Sequence, residues 1–533
     1  MDSFSIEDLA IKIDLVKSKE NLREILDELC VLASNERSNK NVIHLLDKAI
    51  EISELLNDDL SLVYLIGYKI PMLYNRRENI TKVRKLISKM KSISEKNDYK
   101  DVLAWIYSYM WYIEKFEGNK EESKKYINQS MNLLRKSQQT NEYLSFFIKY
   151  SYAFEQWLEE NNPQSAIIFE ECVDFFYKAG FYRSLMQTLA VLFVIYQQTQ
   201  NKKSALKATQ KLLNSKIPFD NLPVDIEAYS CYFVGLSHKL QLNLSIAEKY
   251  LEKARRIFKE TLEKSIYSFY YILALSHLST VLALQGKMNQ ALELIKEAES
   301  LFQTEYLSRY FDPTSKRQTT HSFNLINFYI KSRVYGKIEE DAELVSNIYN
   351  NCKVNYSDAV MLTEFLLNAN LNAEQLGELK NVNNASLERV IHIINFLLEK
   401  MKIVVEVDEE QHSLNCMEAL QQGFKSDKMT FIEKAYANIL IAQELFSLNR
   451  FAEIYSLLRK YEKQLDRIEV LEMRIYMEAF IQVGKFRNGD PLAPALHFMA
   501  IKRCRERKFS RLEGILLDQQ KTLQKIALNA LNY

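Results

Sequence analysis

Residues 275–302 read LSHLSTVLALQGKMNQALELIKEAESLF, two amphipathic segments that meet at Gly286. One face of the first segment carries Leu278, Ser279 and Leu282. One stripe of the second carries three residues at the spacing of an α-helix, namely Ala291, Ile295 and Ala298. Because alanine lets helices approach closely and isoleucine fills the groove beside it, the stretch predicts two tightly packed helices joined by a turn.

The same pattern returns about every 41 positions along the chain. Each unit has a small or medium residue at the start of its second helix: Val42, Val83, Ser123, Ala166, Ala205, Ala247 and Ala291. A larger residue follows four positions later in most units, at Leu46, Ile87, Ile127, Leu251 and Ile295. A steady period of this length indicates stacked helical hairpins, which form a solenoid with a long surface, so binding is the default role.

The composition favours a helical protein and excludes several classes of function. The chain has 533 residues but only 11 Gly and 7 Pro, too few for the tight turns of a β-rich fold or for phosphate-binding loops. Neither a Walker A nor a dinucleotide-binding motif is present. The net charge is +1, so no overall field attracts nucleic acid or a membrane.

The sequence also indicates a cytoplasmic protein. Residues 1–8 are acidic and polar, so we expect no signal peptide. The most apolar stretch, residues 190–196, is too short to span a bilayer. The 6 Cys are scattered singly without a C-x-x-C pair, which predicts neither a zinc knuckle nor a redox pair and suits a reducing cytoplasm.

Three units resemble the tetratricopeptide repeat (TPR). In the unit around Gly286, the residues at its signature positions are Leu278, Ser279, Leu282, Gly286, Ala291, Ile295 and Ala298. In the unit before it they are Val234, Gly235, His238, Ala247, Leu251 and Ala254. In the third unit, further upstream, they are Leu192, Phe193, Tyr196, Ala205 and Leu212. A TPR has about 34 residues, so these units have longer helices. They are similar to the long TPR-like repeats of bacterial signalling and transcription-regulating ATPases and of peptide-sensing regulators.

The predicted fold is an all-α solenoid of antiparallel helix pairs, a TPR-like right-handed superhelix. We expect TPR-like repeats over residues 1–310, divergent helical repeats over 321–483 and basic capping helices over 484–533. Residues 311–320 combine Pro313 with polar side chains, which predicts a long loop. Residues 403–407 (IVVEV) predict a short strand or a frayed helix end, and Gly336 predicts a turn.

The TPR resemblance also implies where a ligand binds, because TPR ligands lie along the first helices of successive repeats. Carried onto this chain, that rule selects Tyr152, Glu155, Gln187, Gln197, Tyr229, Tyr232, Lys239, His277 and Thr280. Their aromatic rings and hydrogen-bonding groups suit an extended peptide. The aromatic stretch around Trp105 and Trp111 fits either an interior helix or a docking surface for a partner protein.

The C-terminal region is basic. Its densest part forms a patch of Lys502, Arg503, Arg505, Arg507, Lys508 and Arg511. The patch fits either a solvated helix face or a contact with an acidic partner or a nucleic-acid backbone. No stacking platform or helix-turn-helix accompanies it, so nucleic acid is disfavoured as a partner.

No catalytic motif is present among the 7 His and 6 Cys, and we expect no enzyme activity, cofactor or metal. The sequence therefore predicts a non-enzymatic scaffold or adaptor that binds a protein or peptide on the concave face of the superhelix. One alternative is a regulatory sensor whose superhelix changes shape on binding. Another is a hydrolase with a site in the divergent C-terminal half. The oligomeric state stays open.

Overall fold

The computed structural model describes residues 6–37, 39–75, 80–137, 141–160, 162, 164–198, 204, 224–261, 267–304, 313–334, 342–353, 358–382, 384–402, 408–425 and 429–531. The chain divides into two compact units. The first unit contains Met1–Val234, Glu252–Ala274 and Phe302–Lys316, and the second contains Gly235–Leu251, Leu275–Leu301 and Arg317–Tyr533.

Residues up to 198 form eleven of the described helices. They are α1 (Ile6–Asp14), α2 (Lys19–Glu24), α3 (Leu26–Asn35), α4 (Lys40–Leu55), α5 (Asp59–Asn75), α6 (Ile80–Lys96), α7 (Lys100–Glu117), α8 (Lys120–Lys136), α9 (Glu142–Glu160), α10 (Ser165–Ala179) and α11 (Tyr182–Gln198). Most of their connections are short, and consecutive helices from α4 to α11 pack against each other, so neighbours run antiparallel.

The remaining described helices begin at residue 224. They are α12 (Val224–Leu240), α13 (Leu244–Thr261), α14 (Tyr267–Leu284), α15 (Met288–Gln303), α16 (Pro313–Val334), α17 (Ala342–Cys352), α18 (Ala359–Asn368), α19 (Ala373–Lys380), α20 (Ala385–Arg389), α21 (Ile391–Lys400), α22 (Glu409–Gln422), α23 (Phe431–Ser447), α24 (Phe451–Glu462), α25 (Leu471–Arg487), α26 (Ala493–Glu506) and α27 (Ser510–Leu531). Two single 3₁₀ turns, Gly423–Lys425 and Leu465–Arg467, complete the described secondary structure, which contains no strand.

Burial confirms the repeat that the sequence predicts. The small residues that start the second helices are all buried where the structure describes them: Val42, Val83, Ser123, Ala166, Ala247 and Ala291. The larger residues four positions later are buried as well, at Leu46, Ile87, Ile127, Leu251 and Ile295. The described chain is therefore an all-α, TPR-like array of helix pairs, as predicted.

The unit around Gly286 shows how a pair closes. Helix α14 ends at Leu284 and α15 begins at Met288, and Gly286 between them has a φ of +78°. L-residues with a side chain rarely adopt that left-handed conformation, so glycine is suited to the turn. Across the pair, the Ser279 hydroxyl donates a hydrogen bond of 2.7 Å to the carbonyl oxygen of Ala291. That approach is possible because Ala291 has only a methyl group between the helices.

Helix α3 covers part of the surface that the first helix of each pair forms in the first unit. It packs against α5 and α11. The Asn35 side-chain amide donates to the Gly180 carbonyl at 2.8 Å, and the Arg183 guanidinium donates to the Asn35 carbonyl at 2.7 Å. Trp105 and Trp111 are buried, with Trp105 among the rings of neighbouring helices. Of the two interpretations of this aromatic stretch, burial supports the interior one.

The predicted loop over residues 311–320 is wrong for its larger part. Helix α16 begins at Pro313, so residues 313–320 are helical. Proline is favoured at the first position of a helix because its missing N–H would have no partner there. Several other predictions lie outside the described residues, namely those on Ala205, Leu212, Gly336 and residues 403–407.

The three-part division of the chain stays a prediction. The two units follow different boundaries, because segments from residues 235–251 and 275–301 belong to the second unit. The two predicted C-terminal helices are present as α26 and α27.

Candidate functional site

A polar cavity of about 400 Å³ opens in the second unit. Its walls come from the end of α12, the start of α18, the end of α20, the start of α23 and the segment before α25. Three cations line it, Lys239, Arg389 and Arg467. Four carboxylates line it as well, Asp358, Glu433, Asp466 and Glu469. Charges of both signs are thus brought together from segments that are far apart in the sequence.

The first pair of charges in the cavity joins Lys239 and Asp358. The Lys239 ammonium lies 3.2 Å from a carboxylate oxygen of Asp358, and both side chains are largely buried. Asp358 is also the N-cap of α18, where it accepts a hydrogen bond from the backbone N–H of Met361 at 3.4 Å. The cap holds the carboxylate in place, so Lys239 is held at the cavity wall.

The second pair joins Arg389 and Glu433. Two guanidinium nitrogens of Arg389 donate to one oxygen of Glu433, at 3.0 and 2.5 Å. The other oxygen of Glu433 accepts from the backbone N–H of Thr430 at 2.6 Å, and the Thr430 hydroxyl accepts from the N–H of Glu433 at 3.2 Å. This capping box at the start of α23 fixes Glu433 and therefore orients Arg389.

The rim of the cavity is more exposed. The Arg467 guanidinium lies 4.7 Å from the ring centre of Phe431, a cation–π geometry. Glu469 accepts hydrogen bonds from the backbone N–H and the hydroxyl of Ser245, at 2.7 and 2.9 Å. Asp466 is exposed. The rim therefore offers one guanidinium and two carboxylates to a ligand.

Two histidines lie close to the cavity. Burial lowers the pKa of His277 well below its usual value, and the neighbouring charge of Lys239 lowers it further. Burial also lowers the pKa of His238, against the opposing effect of Glu469. Both rings are therefore neutral at pH 7 and do not add to the positive charge around Lys239.

A cavity with this lining suits a ligand that carries both charges. Lys239 and Arg389 each have more N–H donors than their partners use, so they can also bind a carboxylate. The rim carboxylates can bind an ammonium or guanidinium group. The volume is in the range of small-molecule sites and admits a short segment of peptide.

The structure places the predicted first-helix residues of α9 and α11 in different environments. Glu155 is buried and accepts from the Trp111 indole at 3.0 Å and from Lys115 at 2.6 Å. Tyr152 is half-buried and accepts from the Gln156 amide at 2.9 Å. Gln187 is half-buried, and the side chain of Gln197 lies outside the described part of the chain.

The remaining predicted residues come from α12 and α14. Tyr229 and Tyr232 are buried against the rings of Phe258 and Tyr270. The buried Thr280 hydroxyl donates to the Ser276 carbonyl at 3.1 Å. Lys239 belongs to the polar cavity, and His277 lies within its electrostatic reach. The role of all nine residues in binding stays a prediction.

The predicted basic patch is divided by its contacts. Arg503 pairs with Glu478, and Arg505 lies 2.8 Å from Glu513. Arg511 lies 3.4 Å from the buried Glu364. The exposed members of the patch are Lys502, Arg505, Arg507 and Lys508. The expectation that nucleic acid is disfavoured as a partner stays a prediction.

Sequence reasoning missed a buried cluster of charges in the second unit. Its members are the buried Arg333, Glu364 and Glu472, with the half-buried Arg511 at its edge. Arg333 has no exposed side-chain surface, and its Nε donates to Glu472 at 2.6 Å while a second guanidinium nitrogen pairs with Glu364. Burial disfavours the charge on Arg333, but Glu364 and Glu472 raise its pKa well above the usual value. No periodicity marks these residues, because they come from four separate helices.

The hydrolase alternative stays a prediction, and the described histidines and cysteines of the C-terminal half bear on it. His392 and Glu433 line a second, much smaller cavity of about 10 Å³. That is room for about one water molecule and not for a substrate. All six cysteines are buried and free, and in the C-terminal half burial raises the pKa of Cys416 to about 11 and that of Cys504 to about 12, which disfavours a reactive thiolate.

Among the described residues, no group of three or more His, Cys, Asp or Glu side chains is arranged to hold a metal ion. None of the described helices combines the length and the apolar character needed to cross a bilayer.

No family model matches this sequence, and no curated protein matches it. Several solved structures are similar to this chain, each with a TM-score below 0.5. A Rap protein complexed with Competence and Sporulation Factor is 14% identical, with 74% of this chain and 99% of that chain covered and a TM-score of 0.45. The human IFIT1 dimer with m7Gppp-AAAA is 14% identical, with 89% and 99% covered and a TM-score of 0.40.

Aspartyl phosphate phosphatase F from Bacillus subtilis is 14% identical, with 74% and 98% covered and a TM-score of 0.37. These structures are TPR-like helical repeat proteins, and this chain is similar to them in being built from helix pairs.

Proposed function

We propose that this protein is a non-enzymatic binding scaffold that holds a charged segment of a partner protein or peptide in the polar cavity of its second unit. The observation that carries the proposal is the lining of that cavity, in which Lys239, Arg389 and Arg467 stand beside Asp358, Asp466 and Glu469. Peptides combine carboxylates, amines and backbone amides within a short length, so they match such a lining better than a uniformly charged ligand does.

The architecture and the fixed side chains support this role. A stack of helix pairs is a scaffold that presents surface and needs no catalytic centre. Asp358 and Glu433 are each held by a helix cap and an ion pair, so Lys239 and Arg389 are oriented before a ligand arrives. Such preorganisation reduces the conformational entropy lost on binding. Lys239 links the cavity to the peptide-binding surface that the TPR resemblance implies.

A peptide pool tests the proposal. The full chain is incubated with random synthetic tetrapeptides that have free termini, and the retained peptides are identified by mass spectrometry after equilibrium dialysis. A second pool has acetylated and amidated ends. We expect the protein to retain peptides that carry a positive and a negative charge. Neutralising the rim in the double variant Asp466→Asn, Arg467→Gln should lower retention about tenfold, because charge-assisted contacts are lost.

Both rim residues are exposed, so the double variant should fold normally. Lys521→Gln on α27 is a matched control, because its side chain is 77% exposed and lies outside the cavity. Retention of no peptide by the wild type, or equal retention by the wild type and the rim variant, would contradict the proposal. Circular dichroism of all variants separates loss of binding from loss of fold.

A further inference from the structure

The solvent-facing side of α26 carries an unusual amount of apolar surface. One face of this helix is buried in the second unit through Ala493, His497, Ala500, Ile501 and Cys504. The other side exposes four large apolar residues, with exposed fractions of 65% for Leu492, 47% for Leu496, 51% for Phe498 and 48% for Met499. A capping helix is expected to have a polar outer face, and the first half of α26 does not.

The C-terminal end of α26 and the two residues after it are basic. Lys502, Arg505, Arg507 and Lys508 are exposed. Lys502 lies 4.0 Å from Glu506, and Arg505 lies 2.8 Å from Glu513. The side chains of Arg507 and Lys508 have no ion pair within the part of the chain that the structure describes. We call Leu492, Leu496 and Met499, together with Lys502, Arg507 and Lys508 at the end of the helix, the apolar–basic face.

The spacing within the face is that of a helix-recognition surface. Leu492, Leu496 and Met499 follow each other at intervals of four and three residues, so they form one stripe. Helices that dock side by side use anchors at these intervals. A contiguous group of exposed apolar side chains bordered by charge is typical of an interaction site in a soluble protein.

We propose that the apolar–basic face docks an amphipathic helix of another protein. The docked helix has large apolar residues along one face, which pack on Leu492, Leu496 and Met499. At one of its ends it has Asp or Glu residues, which pair with Lys502, Arg507 and Lys508. This site is separate in sequence from the residues of the polar cavity, and it extends the proposed scaffold role by a second partner surface.

The arrangement of charge argues against a membrane surface as the occupant. A helix that lies on a bilayer keeps its apolar face free of charge along its whole length and places basic residues at the two flanks. Here Arg503 follows Met499 at four residues, on the same stripe as the leucines, and Lys502 lies beside it. Laying this stripe into a bilayer would force the charge of Arg503 toward the acyl chains.

A second copy of this chain is a poorer match than an acidic helix. Parallel pairing would bring two basic ends together. Antiparallel pairing would place the basic end against the start of α26, where Asp490 is the nearby acidic group and already accepts a hydrogen bond from the backbone N–H of Leu492 at 2.9 Å. The apolar half would be covered, but most of the positive charge would remain unpaired.

A display selection tests this proposal. Helical segments of about 20 residues, with apolar residues fixed at every third or fourth position and all others random, are selected against the full chain. The double variant Leu496→Glu, Met499→Glu serves for counter-selection. We expect the selected segments to be enriched in Asp and Glu at one end. Their affinity should fall several-fold between about 50 and about 300 mM NaCl, since exposed charges are screened.

Matched variants locate the contact. Leu496→Glu should weaken the best segment at least about tenfold, as expected for an anchor residue. The triple variant Lys502→Glu, Arg507→Glu, Lys508→Glu should weaken it similarly and favour segments in which the acidic end is replaced by lysine. Leu55→Glu in α4 is the control, because Leu55 is 82% exposed and belongs to the first unit. Leu496 and Met499 are each about half exposed, at 47% and 48%, and circular dichroism checks the fold of every variant.

Three results would overturn the proposal. The first is that the selected segments are not enriched in Asp and Glu, or that none of them binds the wild type more tightly than the Leu496→Glu variant. The second is sedimentation of the wild type as a dimer that Leu496→Glu converts to a monomer, which assigns the face to a second copy. The third is binding to phosphatidylserine-containing vesicles that Leu496→Glu abolishes, which assigns it to a membrane.

Discussion

Arg333 is fully buried between Glu364 and Glu472, so its charge is part of the core of the second unit. Burial opposes ionisation of Glu364, but Arg333 and Arg511 outweigh that effect and lower its pKa. Burial raises the pKa of Glu472 despite Arg333. The negative charges of the cluster are neutralised only while Arg333 is present, because each carboxylate would otherwise lack its main partner.

Replacing Arg333 by methionine should therefore destabilise the protein by about 3 to 5 kcal/mol, the usual cost of breaking a buried ion pair. Urea unfolding followed by circular dichroism measures this change. Lys521→Gln is the matched control, because Lys521 and Asp518 form a pair 3.1 Å long that is more than three-quarters exposed on both sides. The control should change stability by less than about 0.5 kcal/mol. Equal effects of the two substitutions would show that burial of the cluster is unimportant.

His392 makes the stability of the protein depend on pH. Its side chain is 5% exposed, and burial lowers its pKa from 6.5 to about 4, against the opposing effect of Glu433. In the unfolded chain the ring binds a proton below about pH 6.5, whereas in the folded chain it stays neutral until about pH 4. Because the pKa is lowered on folding, this stabilisation is complete above pH 6.5 and is lost as the pH falls toward 4.

Between about pH 7 and about pH 5 the wild type should lose about 2 kcal/mol more stability than His392→Gln, from about 1.4 kcal/mol per unit of pKa difference. Urea unfolding of both proteins at the two pH values gives this difference directly. His321, whose pKa burial also lowers to about 4, is present in both proteins and cancels. If the free energy of unfolding changed equally with pH in the two proteins, His392 would not be a buried, neutral residue in the folded state.

At the scale of the helix, the small residue of each repeat sets how closely a pair packs. Ala291 is fully buried, and its carbonyl accepts the hydrogen bond from Ser279. Ala291→Leu should separate α14 from α15 and cost about 1 to 3 kcal/mol, as overpacking usually does. Ala452→Leu is the matched control, because Ala452 lies in α24 and is exposed. Thermal unfolding should show a lower Tm for the first variant only.

The helical elements were largely predictable, because each repeat contains its own signal. Ala291, Ile295 and Ala298 specify a buried stripe without information from the rest of the chain. The predicted loop at residues 311–320 shows the limit of that reasoning. Pro313 and its polar neighbours have the composition of a loop, but proline at the first position of a helix is a start signal.

At the scale of the molecule, the cavity was not predictable from local pattern. Its charged residues lie between positions 239 and 469, on five segments that only tertiary packing brings together. Lys239 was singled out through the TPR resemblance, but nothing in the sequence pairs it with Asp358. The signal that was available is the capping box at Thr430 and Glu433, which marks a helix start but not the arginine that joins it.

A stack of helix pairs should respond locally to damage, because each helix contacts mainly its sequence neighbours. Trp105 in α7 and Phe480 in α25 are both fully buried, one in each unit. Replacing either by alanine should cost about 3 to 5 kcal/mol. Hydrogen exchange followed by mass spectrometry should show faster exchange around α5 to α9 for Trp105→Ala, and around α23 to α27 for Phe480→Ala. Faster exchange throughout the chain in both variants would instead indicate one cooperative body, in which stability is not a sum over neighbouring repeats.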